Sequence, residues 1–329
     1  MNRSSGNLTN KWQLIKDEMA LVDTRLQEFT DTASPEIFEV SSYIFNGAGK
    51  RMRPGLLLLA AYRPGRSLTE YIDAAVALEL VHTASLLHDD VIDMASIRRG
   101  KDTVHVKWSN RISVLTGDYL LSRALEMLVS YHNWGLMDII VKIVENMSEG
   151  EIEQAFANCD TAMLEERYFK WIGKKSAYFF AGCCQAGSHM REDSPRETSR
   201  WFDYGYNLGI AFQLVDDLLD YTGKKDQTGK PLYGDLSNRV ITLPLIRALG
   251  DTQSNRLVNS LMYADKVTGE EISVVANAVL EGDGPGYTYR KAEEYINKAI
   301  AAVDKLSVPD NHHREVLIEL ARDILKRTR

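Results

Sequence analysis

Two copies of one acidic pattern constrain this chain more than anything else in it. Asp89-Asp90-Val91-Ile92-Asp93 and Asp216-Asp217-Leu218-Leu219-Asp220 both read D-D-x-x-D. Each is embedded in apolar sequence, after Leu86-Leu87-His88 and after Phe212-Gln213-Leu214-Val215. On an α-helix, residues three and four apart share a face, so the three carboxylates of each copy crowd together. A close pair repels by ~0.7 kcal/mol in water at ~6 Å, and by ~3 kcal/mol at an effective dielectric of 20. A solvated helix face would tolerate one such cluster. Two clusters, each beside core-forming residues, point to cations placed between them.

The rest of the composition permits this and excludes other classes. With 329 residues, 44% of them hydrophobic and 26% charged, the chain has the balance of a globular protein. A chain this long buries about 75% of its unfolded surface, so long helices can have a common core. A net charge of −7 argues against a general binder of nucleic acid or anionic membranes. No apolar run reaches the ~18 residues that would span a bilayer. Residues Met1 to Lys11 are polar and lack the apolar stretch of a signal peptide, so a cytoplasmic protein is expected. Cys159, Cys183 and Cys184 form no C-x-x-C and read as buried free thiols.

The dominant period is helical. Apolar residues recur at three- and four-residue spacing over 56–62, 71–97, 114–131, 137–157, 168–187 and 196–221. The C-terminal third continues over 243–249, 255–263, 270–280, 287–306 and 314–326. Alternating strand-like runs are scarce, and no stretch reads as an interdomain linker. The expectation is one all-α domain over residues 1–329, a helical bundle with residues 1–10 flexible. The two acidic helices should run through its centre, because their other faces are apolar.

Cationic segments complement the acids. Gly49-Lys50-Arg51-Met52-Arg53-Pro54 precedes an apolar helix, and proline suits a first helical position. Lys50 and Arg53 would then stand at a helix N-terminus, where free N–H groups favour anions. Arg98 and Arg99 follow the first acidic helix, with Gly100 as its expected C-cap. Mg²⁺ is usually held by one or two carboxylates together with substrate phosphates. Acidic and basic clusters together point to a phosphorylated substrate.

These motifs, with Gly117-Asp118-Tyr119, Lys175-Ser176-Ala177, Gly209 to Asp220 and Gly229-Lys230-Pro231 to Pro244, resemble the trans-polyprenyl diphosphate synthase family. The likeness runs over roughly residues 45 to 329 in the family's order, nearest to bacterial heptaprenyl-type catalytic subunits. The resemblance implies an isoprenoid-synthase bundle with a central cavity between the acidic helices. It implies condensation of isopentenyl diphosphate with an allylic diphosphate to give a longer polyprenyl diphosphate. By it, Asp89, Asp93 and Asp216 would bind three Mg²⁺ ions, while Asp90, Asp217 and Asp220 complete or orient the shell. Arg98, Lys175 and Lys230 would contact the allylic diphosphate. Lys50, Arg53, His82 and Arg99 would hold isopentenyl diphosphate. Ser176 (where the family usually has threonine), Gln213 and the Lys175 carbonyl would face the allylic cation. A homodimer is implied, or a heteromer with a small non-catalytic subunit.

The chain departs from the family at Arg239-Val240, where Gly-Lys is usual, and Arg239 is expected to supply the missing charge. Ser85 and Ala84, upstream of Asp89, are small, and Val81 and Leu78 lie deeper on a similar face. An aromatic residue near here resembles a floor that halts elongation early, so a product beyond geranylgeranyl length is expected. Other patterns fit less of the chain. Glu79-Leu80-Val81-His82 is one E-x-x-H without the second that a di-iron bundle needs. His88-Asp89 resembles a metal phosphohydrolase doublet, but leaves the second acidic motif unexplained. The second metal motif of class I terpene cyclases is not met at Asp220 and Lys224.

Overall fold

The computed structural model describes residues 12–31, 34–46, 49–157, 163–223, 232–250, 252–264 and 267–327. Expectations for residues 1–10, Cys159 and Lys230 lie outside these. Sixteen α-helices occur among the described residues: α1 (Lys16–Asp31), α2 (Pro35–Phe45), α3 (Met52–Ala61), α4 (Ile72–Ile92), α5 (Val104–Lys107), α6 (Asn110–Val129), α7 (Trp134–Ala155), α8 (Leu164–Ile172), α9 (Tyr178–Met190), α10 (Pro195–Thr222), α11 (Gly234–Ser237), α12 (Leu243–Ala248), α13 (Thr252–Met262), α14 (Gly269–Glu281), α15 (Gly284–Val303) and α16 (Asn311–Lys326). A π-helical turn, Gly173–Ala177, joins α8 to α9. The all-α bundle expected from the sequence is present. No helix among the described residues is long and apolar enough to cross a membrane.

Local chemistry sets the helix starts. Ser34, Ser109, Asn133, Ser194 and Asp310 each accept a backbone N–H of their helix's first turn with a side-chain oxygen. Thr268 and Glu271 form a reciprocal capping box. Pro35 and Pro195 occupy first helical positions. Pro54 does not. Because α3 begins at Met52, Pro54 is its third residue, still within the turn whose N–H groups have no helical acceptor.

The first acidic helix is shorter than its apolar pattern. It ends at Ile92, and Met94 turns left-handed with φ 50°. The chain then forms a two-strand antiparallel ribbon, β1 (Ile97–Arg98) with β2 (Lys101–Asp102). Arg99 and Gly100, with φ of 51° and 75°, make its tight turn. Gly100 is thus a hairpin residue and not a helix cap. Two-residue strands carry no alternation long enough to read in the sequence.

The acidic helices lie in the core. Along α4, Leu78, Leu80, Val81, Ala84 and Leu87 are buried, and along α10 so are Trp201, Tyr204, Leu208, Leu214 and Val215. Helix α4 packs on α1, α3 and α6, while α10 packs on α9, α15 and the π turn. Glycines permit the last approach. A Cβ at Gly209 would stand 2.6 Å from the Ala177 Cα, and one at Gly205 would stand 2.6 Å from the Phe180 carbonyl oxygen. The backbones of α10 and the α9 region therefore touch one turn before Gln213. Gly209→Ala should push them apart and cost about 1–3 kcal/mol of stability. Chemical denaturation would check this, and an unchanged midpoint would contradict it.

Candidate active site

The inner end of the bundle holds a cavity of about 710 Å³. Asp93 from the first motif and Asp217 from the second both line it, with Lys175, Gln213, Glu151, Gln154, Tyr168, Asp235 and Arg239. Two walls of opposite origin thus share one space.

The aspartates divide by partner. Asp90 is buried and accepts from Arg98 Nε at 2.6 Å, so Arg98 braces the first helix. Asp217 is buried and accepts from the Tyr168 hydroxyl at 2.5 Å and from Gln213 Nε2 at 2.7 Å. Burial raises its pKa well above the usual carboxylate range, and Asp216 and Asp220 add to this. Asp220 accepts from the backbone N–H groups of Gly234 and Asp235 at 3.0 and 3.1 Å, anchoring the start of α11. Asp216 is half-exposed and pairs with Arg327 Nη2 at 3.0 Å. Asp89 shares its surroundings with Lys175, Glu151 and Asp93. Burial first, with Glu151 and Asp93 adding to it and Lys175 and Arg98 opposing, lifts its pKa to about 6.

Lys175 sits on the π turn. Burial works against its charge, but Glu151, Asp89 and Asp93 outweigh that and hold its pKa above the ordinary lysine value. It pairs with Glu151 and donates to Gln154 Oε1 at 3.0 Å. The close approach of α7 to this turn depends on Gly150, where a Cβ would stand 2.5 Å from the backbone nitrogen of Lys175. Next to it, the Ser176 hydroxyl donates to Gln213 Oε1 at 2.6 Å. Ser176, Gln213, Asp217 and Tyr168 therefore form one hydrogen-bonded chain.

Lys50, Arg53, His82, Arg98 and Arg99 are not on the lining of this cavity. Lys50 feels Arg327, Asp216 and Arg99, and Arg53 feels Glu79, Arg99 and Asp216. The Arg53 guanidinium lies 4.8 Å from the Phe179 ring centre, and the His82 ring meets the same phenyl edge-on. Burial and the surrounding arginines keep the His82 pKa well below its usual value, so its imidazole is neutral at pH 7. Arg239 lines the main cavity in a left-handed conformation, φ 57°, with one guanidinium nitrogen on the Ala264 carbonyl oxygen. Val81 and Ala84 are buried in α4, and Ser85 donates to the His82 carbonyl oxygen at 2.9 Å.

Two sequence patterns are resolved against metal binding. His88 packs on α6, with Nε2 3.2 Å from the Val114 carbonyl oxygen and in contact with Gly117, so the His-Asp doublet does not converge. Glu79 of the E-x-x-H is paired with Arg51. Sequence reasoning missed Glu151, Gln154, Tyr168 and Arg327. Glu151 and Gln154 had a usable signal, being three apart on one face of a half-apolar helix and following Gly150. Tyr168 and Arg327 had none, because their contacts arise only from packing.

Among the described residues, no three His, Cys, Asp or Glu side chains are grouped to hold a metal unaided. The donors still suit Mg²⁺, which accepts few carboxylates and completes its shell with phosphate oxygens and water.

Residues 34–279 match the polyprenyl synthetase family model. This chain belongs to the polyprenyl synthetase family. Heptaprenyl diphosphate synthase component 2 of Geobacillus stearothermophilus is 34% identical, over 96% of this chain and 98% of its own length. The octaprenyl diphosphate synthase of Escherichia coli is also 34% identical, over 98% of this chain and 100% of its own. A solved polyprenyl synthase of Caulobacter crescentus, complexed with calcium and isoprenyl diphosphate, superposes with a TM-score of 0.90 at 31% identity. That superposition covers 100% of this chain and 99% of the other.

Asp89 links the site to stability. Its pKa is about 6 in the folded chain against an ordinary 3.8, so between those values the folded form keeps a proton that the unfolded form has lost. Its contribution favours folding at acidic pH and is lost as pH rises through about 6. In EDTA, Asp89→Asn should melt higher than wild type at a pH of about 7.5, with the gap narrowing as pH falls through about 6 and closing only below the ordinary value of 3.8. A gap that is independent of pH would contradict this.

Proposed function

We propose that this polyprenyl synthetase is a Mg²⁺-dependent prenyltransferase that joins isopentenyl diphosphate to an allylic diphosphate in trans, giving a polyprenyl diphosphate longer than geranylgeranyl. One observation carries the reading. Both acidic motifs share a site with Lys175, and in each the middle aspartate is pinned from behind, Asp90 by Arg98 and Asp217 by Tyr168 and Gln213. In this reading Asp89, Asp93 and Asp216 ligate three ions, and Asp90, Asp217 and Asp220 orient them. Bound Mg²⁺ would neutralise the diphosphate as negative charge develops on it.

The chain's own residues do the rest. Lys175 adds a fixed positive charge toward the leaving group, with Arg98, Arg239 and Lys230 completing that side. Lys50, Arg53, His82 and Arg99 hold the isopentenyl diphosphate, the neutral His82 ring giving a hydrogen bond without a charge. The allylic C–O bond breaks with its electron pair going to diphosphate. The isopentenyl double bond supplies the pair for the new C–C bond, and the diphosphate takes the proton then lost. Ser176, with its hydroxyl hydrogen committed to Gln213, would face the cation with its oxygen lone pairs, together with Gln213 and the Lys175 carbonyl.

The names of the hepta- and octaprenyl relatives support a long product. So does the small size of Ser85 and Ala84, upstream of Asp89 on α4. Cytoplasmic location and a homodimer belong to the same proposal. The name "component 2" supports a narrower second reading, in which a non-identical subunit is required. One assay separates these: the purified chain, isopentenyl and farnesyl diphosphates, Mg²⁺, and mass analysis of the products. The expected result is turnover by the chain alone, none in EDTA, products beyond geranylgeranyl length, and shorter ones from Ser85→Phe. No turnover would overturn the enzyme reading for the isolated chain, and unchanged lengths from Ser85→Phe would overturn the role of that wall.

A further inference from the structure

Glu79 is a carboxylate buried on α4, 3% exposed, and the proposed chemistry gives it no task. It stands one turn before His82. Its Oε1 accepts from Arg51 Nη1 at 2.8 Å, while Arg51 Nε donates to Asp23 Oδ1 on α1 at 2.9 Å. One side chain therefore ties α1 and α4 to the loop that opens α3.

The backbone at Arg51 makes this tie consequential. Its φ of 46° and ψ of 41° lie in the left-handed region, which a non-glycine residue occupies only when its surroundings hold it there. The turn directs the Arg51 guanidinium toward α1 and α4. Lys50, just before, and Arg53, two residues on, both feel Arg99 and Asp216. A second left-handed arginine, Arg99 of the β1–β2 turn, arrives at the same place. A Cβ at Gly49 would stand 3.1 Å from Arg51 Nη1 and 3.4 Å from Arg99 Nη1. Two guanidinium groups thus meet over a glycine, with Arg53 nearby, and like charges this close repel. Glu79 is a carboxylate that Arg51, Arg53 and Arg99 all feel. It offsets their mutual repulsion.

We propose that Glu79 and Arg51 form a positioning pair that shapes the diphosphate seat of Lys50, Arg53, His82 and Arg99. The pair fixes the left-handed turn and holds the cations together when no diphosphate is bound. This rests on the assignment of that seat to isopentenyl diphosphate in the proposed function. Because the pair acts on one seat, its loss should affect one substrate and leave the allylic side alone.

The test is steady-state kinetics of the full-length Glu79→Gln enzyme, with each substrate varied in turn. The KM for isopentenyl diphosphate should rise about tenfold, with the allylic KM and kcat within about threefold of wild type. General loosening of the fold would instead move both substrates or lower kcat. Arg51→Gln should act alike, and the double variant should be no worse than the more damaged single one, as expected of residues that work as a unit. Should Glu79→Gln not fold, Asp23→Asn, at the exposed end of the network, decides. A rise of about threefold confined to isopentenyl diphosphate supports the pair, and an unchanged KM overturns it. If the wild-type chain itself has no turnover, it is the enzyme reading that fails. If wild type is active and Glu79→Gln is kinetically unchanged, only the positioning pair fails.

Discussion

Carboxylates packed at the C-terminal ends of two core helices repel one another, and the way each is satisfied gives it a different part. Asp90 and Asp217 are buried, and each is held by the protein itself, by Arg98 in one case and by Tyr168 with Gln213 in the other. They stiffen the helix ends that carry the motifs. Among the described residues Asp89 has no such side-chain hydrogen bond, and it titrates near 6 because burial and neighbouring acids disfavour its charge. The protein therefore maintains a deficit of positive charge at this point, which a cation brought by a phosphorylated ligand would relieve. The same logic explains Lys175, whose charge is held in place by Glu151, Asp89 and Asp93 despite burial.

Next to this anionic space lies its complement, a cluster of cations around Lys50, Arg53 and Arg99. The two clusters meet at Asp216, which already pairs with Arg327 from the end of α16. Neither could be built by one helix. The acids need α4 and α10 in the core, brought close to α9 by Gly205 and Gly209, and the cations need two left-handed turns at Arg51 and Arg99. Backbone conformations that are costly in isolation are placed here against buried counter-charge, which is where such costs are best offset.

Much of this was legible in the residues and some of it was not, for physical reasons. The helical period gave the bundle, because burial of one face imposes it on every long segment. The acidic motifs stood out because their repulsion has to be answered. Helix ends were less legible. The pattern over 71–97 ran past Ile92 since apolar Ile97 continues the spacing, while the turn at Met94 and the two-residue strands leave no periodic trace. Pro54 was placed two positions early in its helix for a similar reason, as the chain enters α3 through a left-handed arginine, where glycine would be the usual sign. Of the site, the six aspartates and the Lys175-Ser176 pair were visible. Tyr168 behind Asp217 and Arg327 beside Asp216 were not, because those contacts join segments far apart in sequence. Glu79 was visible only as half of a metal motif, whereas its partner is an arginine.

If the proposed chemistry holds, the acidic walls bind cations productively only with a diphosphate between them. Calorimetric titration of Mg²⁺ into the protein, with and without inorganic diphosphate, tests it most directly, after correction for Mg²⁺–diphosphate association measured without protein. The expected result is weak binding to the protein alone and binding tighter by at least about tenfold when diphosphate is present. Equal Mg²⁺ affinity in both titrations would contradict it.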